Sequence, residues 1–147
     1  MSEFLTNADW TFPIPIRYGP GRLEELGAVC IEHDVKSPLI VTDQGTCDLP
    51  LIKQALESLT VSGFKEAIFS EIAPNPTDQD IIAGREVFLE GKHDAVIAIG
   101  GGSGMDAGKA ISLVAHYQCD LWDFDYDKTV QELQSPTNFP SLICIPT

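Results

Sequence analysis

The chain has 147 residues, 44% of them hydrophobic, and 22 acidic against 9 basic side chains for a formal net charge of −13. That is one ordinary domain, with enough apolar material to bury roughly two-thirds of its unfolded surface around one core. With a sequence pI near 4.3, the charge argues against nucleic acid and anionic membranes as partners, so an anionic ligand has to be held by local donors.

The start Met1-Ser2-Glu3-Phe4-Leu5 has no basic or continuously apolar stretch, and no run approaches the ~18 apolar residues of a membrane span. Neither a signal peptide nor a transmembrane helix is expected. Cys30, Cys47, Cys119 and Cys144 make no CxxC pair, and in such a chain they are expected as reduced thiols of a cytoplasmic protein. Cys144, inside Leu142-Ile143-Cys144-Ile145, is expected to be a small core hydrophobe.

Residues 11–18 alternate around two prolines and predict an edge strand or extended arm, broken by Gly19-Pro20-Gly21. Leu23, Leu26, Val29 and Cys30 form a helical stripe running to about Asp34. Residues 38–42 are a short apolar run ending at Asp43, as suits a strand covered on both faces of a parallel sheet. Leu49, Ile52, Leu56 and Leu59 recur at helical spacing, and residues 64–69 predict the next strand. After Pro74-Asn75-Pro76, Thr77 opens a helix with Asp78 and Asp80 in its first turn, ended by Gly91. Residues 95–99 are the strongest strand; three glycines follow, then a helix from about Ser103 to His116. Residues 120–138 read as a loop with one short helical turn, and residues 141–145 as the last strand. Helices alternating with buried strands predict an α/β fold: a Rossmann-like, doubly wound, mainly parallel sheet with helices on both faces and an N-terminal arm.

The segment Ile99-Gly100-Gly101-Gly102-Ser103 carries most of the functional information. Glycines let a ligand approach the main chain, and the helix that follows offers free N–H groups and the positive end of its dipole, which together suit a pyrophosphate. Ser103 is expected to cap that helix and to donate to a phosphate oxygen. A tight turn without a ligand explains a bare GGGS as well, but a position at the carboxyl end of a parallel strand favours a ligand. No GxxxxGK[ST] loop is present, and the candidate ribose acid, Asp43, precedes the glycines instead of following them as in the ordinary dinucleotide fingerprint.

Gly100-Gly101-Gly102-Ser103 with Asp106 and Lys109 resembles the GGGSxxDxxK signature of iron-containing (group III) alcohol dehydrogenases. Gly108 departs from it, where the family commonly has Ala, at a helix-propensity cost of about 1 kcal/mol. Thr42-Asp43-Gln44-Gly45 resembles the family's TDxG turn and Pro74-Asn75-Pro76-Thr77 its PNPT turn; Arg17-Tyr18-Gly19-Pro20-Gly21 and Ile145-Pro146-Thr147 fit as well. The resemblance covers essentially the whole chain, and it implies that residues 1–147 are the dinucleotide-binding domain of an NAD-dependent alcohol dehydrogenase.

By that resemblance Gly101, Gly102 and Ser103 bind the pyrophosphate, Asp43 contacts the adenosine ribose, Asn75 lies on the adenine side, Asp106 near the nicotinamide ribose, and Thr147 contacts the cofactor. A carboxylate at Asp43 accepts from both ribose hydroxyls and repels a 2′-phosphate, so NAD is favoured over NADP. Asp106, three residues after Ser103, is expected to complement the helix dipole in a capping-box-like pair. Lys109 reads as a solvated helix cation or an ion-pair partner. His33, His93 and His116 are scattered without ligand spacing. The family's Fe²⁺ or other divalent metal is held by an Asp and histidines of a following helical domain, so this chain is expected to hold no metal and to turn over no alcohol alone. The expected partners are a dinucleotide and, for the parent enzyme, an alcohol or aldehyde, with a homodimer left open. A glycerol dehydrogenase or dehydroquinate synthase-like parent, or a stand-alone nucleotide-binding module, are the alternatives.

Overall fold

The computed structural model describes residues 7–11, 13–117, 120–125, 127 and 139–147. Strands β1 (Ala8–Trp10) and β2 (Ile16–Tyr18) form an antiparallel hairpin, of which β2 lies in the arm expected over residues 11–18 and β1 precedes it. Arg22 fastens it: its guanidinium donates to the Ala8 carbonyl at 3.0 Å and to Asp9 at 2.6 Å, and its Nε to Glu25 at 2.8 Å. A 3-10 turn, Arg22–Glu25, leads into helix α1 (Leu26–Glu32).

The body is a four-stranded parallel sheet in the order β4-β3-β5-β6, built from β3 (Pro38–Asp43), β4 (Ile68–Ile72), β5 (Ala95–Gly100) and β6 (Ser141–Pro146). Between them run α2 (Pro50–Val61), α3 (Asp78–Glu90) and α4 (Gly102–Val114). Pro50 sits at the start of α2, where its missing N–H is harmless. Thr77 caps α3 in a capping box, with its own N–H donating to Asp80 at 2.8 Å.

Strand alternation divides the core into two layers. Leu39, Val41 and Val96 pack with Ile81 and Phe88 of α3 and Ile111 and Val114 of α4. Ile40, Ile97 and Ile99 pack on the other face with Leu26 and Cys30 of α1 and Ile52, Ala55 and Leu59 of α2. The sheet is thus covered on both sides, as the continuous apolar runs predict, and both β3 and β5 are almost wholly buried.

Two expectations are corrected. The strand expected over residues 64–69 runs from Ile68 to Ile72, because Phe64 closes the end of α2 through its N–H to the Leu59 carbonyl and packs against the α1/α2 layer from there. Cys144 is exposed. It lies on edge strand β6, where Ile143 and Ile145 face the α1/α2 layer and the alternate residues Leu142 and Cys144 are left outside. Residues 128–138 of the predicted loop lie outside the described residues, and a 3-10 turn, Leu121–Phe124, supplies the short helical turn before them.

Candidate dinucleotide site

From β3 the chain steps outward to β4, returns past β3 to β5, and steps outward the other way to β6. The direction reverses between β3 and β5, and open α/β sheets bind ligands beyond the carboxyl ends of the strands at such a reversal. The pairing shows the opening. The β3/β5 ladder ends at Val41 and Ala98, while β3 continues beside β4 to the pair Asp43 and Ile72, and β5 continues beside β6 to Gly100 and Pro146. The last two residues of each central strand therefore part from one another. Thr42 lies in this fork, fully buried, with its hydroxyl unpartnered.

Asp43 and Gly100 face each other across the fork. Gly100 has φ +144, a region most side chains avoid, and a Cβ there would lie 2.9 Å from Oδ2 of Asp43. The Asp43 carboxylate is also tied to its own turn. Oδ1 accepts from the N–H groups of Gly45 (2.9 Å) and Thr46 (3.0 Å), and Oδ2 accepts from the Thr46 hydroxyl (2.9 Å). With Oδ1 carrying two donors, the remaining acceptor capacity lies on Oδ2. Thr46, 7% exposed, escaped the sequence reading, although an Asp followed three residues later by a Thr after a strand is the pattern of a side chain-capped turn.

Gly101 and Gly102 open α4, and both are exposed. Neither has positive φ, and a Cβ on either would meet nothing within 4 Å. Gly101 is the N-cap of α4, a position where glycine is favoured over alanine, and no neighbouring protein atom requires glycine at either position. The bare backbone looks onto open space at a helix N-terminus, the shape and polarity of a phosphate cradle. Gly104 and Gly108 differ. A Cβ on Gly104 would lie 2.8 Å from the Ile99 carbonyl, and one on Gly108 2.5 Å from the Ala98 Cβ. These two glycines let α4 lie close on β5, so Gly108 is a packing requirement and more than a propensity cost.

The two capping expectations for α4 are corrected. Its N-cap is Gly101, with no side-chain cap, and Ser103 lies inside the first turn. The Ser103 hydroxyl donates instead to the Pro74 carbonyl, tying the turn that carries Asn75 to the head of α4. Asp106 lies beyond the first turn, is exposed, and pairs with Lys109 at 3.5 Å. Asn75 is exposed in the Pro74–Pro76 turn that Ser103 holds. Thr147 donates its N–H to the Gly100 carbonyl at 3.2 Å, which places it beside the glycine turn. The fold thus gathers Asp43, Gly101, Gly102, Ser103, Thr147 and the Asn75 turn at one end of the sheet, with Asp106 a turn further along α4.

His93 shares its Nδ1 with the hydroxyl of Ser37 at 3.0 Å, and His116 packs edge-on against Phe88. Among the described residues no three or more His, Cys, Asp or Glu side chains gather as a metal cluster, and no helix is long and apolar enough to cross a membrane.

A doubly wound parallel sheet with a glycine turn at its reversal point defines a Rossmann-like α/β domain. Comparison with known proteins gives the family: the chain belongs to the iron-containing alcohol dehydrogenases, whose family profile matches residues 13–147. It is 30% identical over 139 residues to choline dehydrogenase of Bacillus subtilis, covering 93% of this chain and 34% of that protein. A crystal structure of 1,3-propanediol oxidoreductase superposes with a TM-score of 0.77 at 30% identity, over 88% of this chain and 32% of that one. Sulfoacetaldehyde reductase from Bifidobacterium kashiwanohense, solved in complex with NAD+, shares the fold with a TM-score of 0.77 at 22% identity, over 99% of this chain and 36% of that one. The chain spans about a third of the length of these relatives.

Proposed function

We propose that residues 1–147 are the dinucleotide-binding domain of an NAD-dependent, metal-containing alcohol dehydrogenase. The carrying observation is the pair of exposed glycines at the head of α4, unexplained by packing and set where the sheet reverses. In this reading the N–H groups of Gly101, Gly102 and Ser103 hold the pyrophosphate at the helix N-terminus. Asp43 receives a hydroxyl of the adenosine ribose at Oδ2 and disfavours a 2′-phosphate by charge, which selects NAD over NADP. Asn75 lines the adenine side, Asp106 the nicotinamide ribose, and Thr147 closes the crevice beside Gly100.

Bound NAD supplies a nicotinamide that exchanges hydride with the carbon of an alcohol or aldehyde. This chain's residues bind and orient the dinucleotide. We place the ligands of the Fe²⁺ or other divalent metal outside the chain, so that the 147 residues alone bind cofactor without turning over alcohol. Free thiols at Cys30, Cys47 and Cys144 fit a reducing compartment, and we assign the cytoplasm. The net charge of −13 suits neither nucleic acid nor an anionic membrane as partner.

The reading is tested by following backbone amide resonances while NAD+ is titrated into the chain. Saturable shifts are expected at Asp43, Gly101, Gly102, Ser103 and Thr147. Shifts confined to other elements, or none at millimolar NAD+, would remove the assignment.

A further inference from the structure

We propose that Thr46 sets dinucleotide selectivity by clamping the Asp43 carboxylate, an inference that rests on the dinucleotide reading above. The two carboxylate oxygens are fixed by different means. Main-chain N–H groups of Gly45 and Thr46 hold Oδ1, at 2.9 and 3.0 Å, whatever side chains occupy those positions. Oδ2 is held by one side-chain donor, the Thr46 hydroxyl at 2.9 Å. Thr46 is buried, so water competes poorly for that hydroxyl, and the bond holds the plane of the carboxylate. The clamp aims Oδ2 across the fork, where ideal Cβ positions on Gly100 and Gly104 would lie 2.9 and 3.3 Å away.

Thr46 is a positioning residue that acts through Asp43. Without its hydroxyl, Oδ2 loses its one protein donor, and a 2′-phosphate can push the carboxylate aside by rotation about its Cβ–Cγ bond, with the Oδ1 contacts shifting alongside. NADP binding then improves. NAD binding changes little, because the released Oδ2 still reaches a ribose hydroxyl.

The test is calorimetric titration of NAD+ and NADP+ into the 147-residue chain. Thr46→Val keeps the side-chain shape without the donor and is expected to lower the NADP-to-NAD ratio of Kd values by about fivefold, the scale of one net hydrogen bond. Its Kd for NAD should stay within about twofold. Thr46→Ser restores the donor and should restore the ratio, and in an Asp43→Ala background the Thr46→Val effect should vanish, as coupling between the two requires. If Thr46→Val does not fold, Thr46→Ala is read in the same way. A structural role alone weakens both dinucleotides in parallel and leaves the ratio unchanged, which overturns the clamp. Wild-type protein that discriminates through Asp43 while the Thr46 variants discriminate equally well overturns the clamp alone. Wild-type protein that binds neither dinucleotide overturns the dinucleotide reading and the clamp with it.

Discussion

A β-carbon on Gly100 would lie 2.9 Å from Oδ2 of Asp43, closer than real Cβ contacts come. The last residue of β5 is thus kept bare by the last residue of β3. Gly100 also has φ +144, where a side chain is strained whatever the space around it. Gly100→Ala is therefore expected to destabilise the fold by about 1–3 kcal/mol, seen as a lower urea midpoint with an unchanged slope. A midpoint equal to wild type would show that the fork closes differently.

The cysteines separate by environment. Cys30 is fully buried in the α1/α2 layer, and burial, reinforced by the charge of Asp94, pushes its thiol up to about 11. Cys47 is partly exposed in the turn after β3, and Cys144 is exposed on β6. Since the thiolate is the reactive form, iodoacetamide followed by peptide mapping should label Cys47 and Cys144 well before Cys30 in folded protein. Labelling of Cys30 at the rate of the other two would contradict its placement.

The arm carries a pH dependence. Hydrogen bonds from Arg22 hold the Glu25 carboxylate below its ordinary range, against a smaller opposing effect of partial burial. A carboxylate with a depressed folded-state pKa contributes stability that is complete above its unfolded value, near 4.3, and is lost as pH falls through the folded value. The Arg22–Glu25 pair should therefore hold at neutral pH and weaken only below the ordinary glutamate range. Amide shifts of the β1/β2 hairpin followed down the pH scale should move in that window, and Glu25→Gln should abolish the step. Movement near pH 6 would point to another group.

Much of the fold was legible because β3 and β5 are buried on both faces, and uninterrupted apolar runs identify such strands directly. The strand-to-helix turn was legible from its three consecutive glycines, one of which, Gly100, the fold itself requires. Cys144 was misplaced because an edge strand and a central strand read alike as apolar runs, and only the number of neighbours decides which residues are covered. Ser103 was misread as a cap because capping depends on where the helix begins. One residue's difference in that start turned its hydroxyl toward Pro74, a partner 29 positions away. The Thr46 clamp was missed because an exposed turn and a buried one share a sequence pattern.

The account turns on why α4 begins with glycine, and one paired measurement on Gly102 tests it. Nothing lies within 4 Å of a Cβ at Gly102, and its φ is not positive, so Gly102→Val should fold with a thermal midpoint close to wild type. The added side chain would stand where the pyrophosphate has to meet the backbone. Calorimetric titration with NAD+ should then show binding in wild type and a loss of at least about tenfold, roughly 1.4 kcal/mol, in Gly102→Val. Equal NAD+ affinity in the two folded proteins would contradict the assignment of this turn as the dinucleotide cradle.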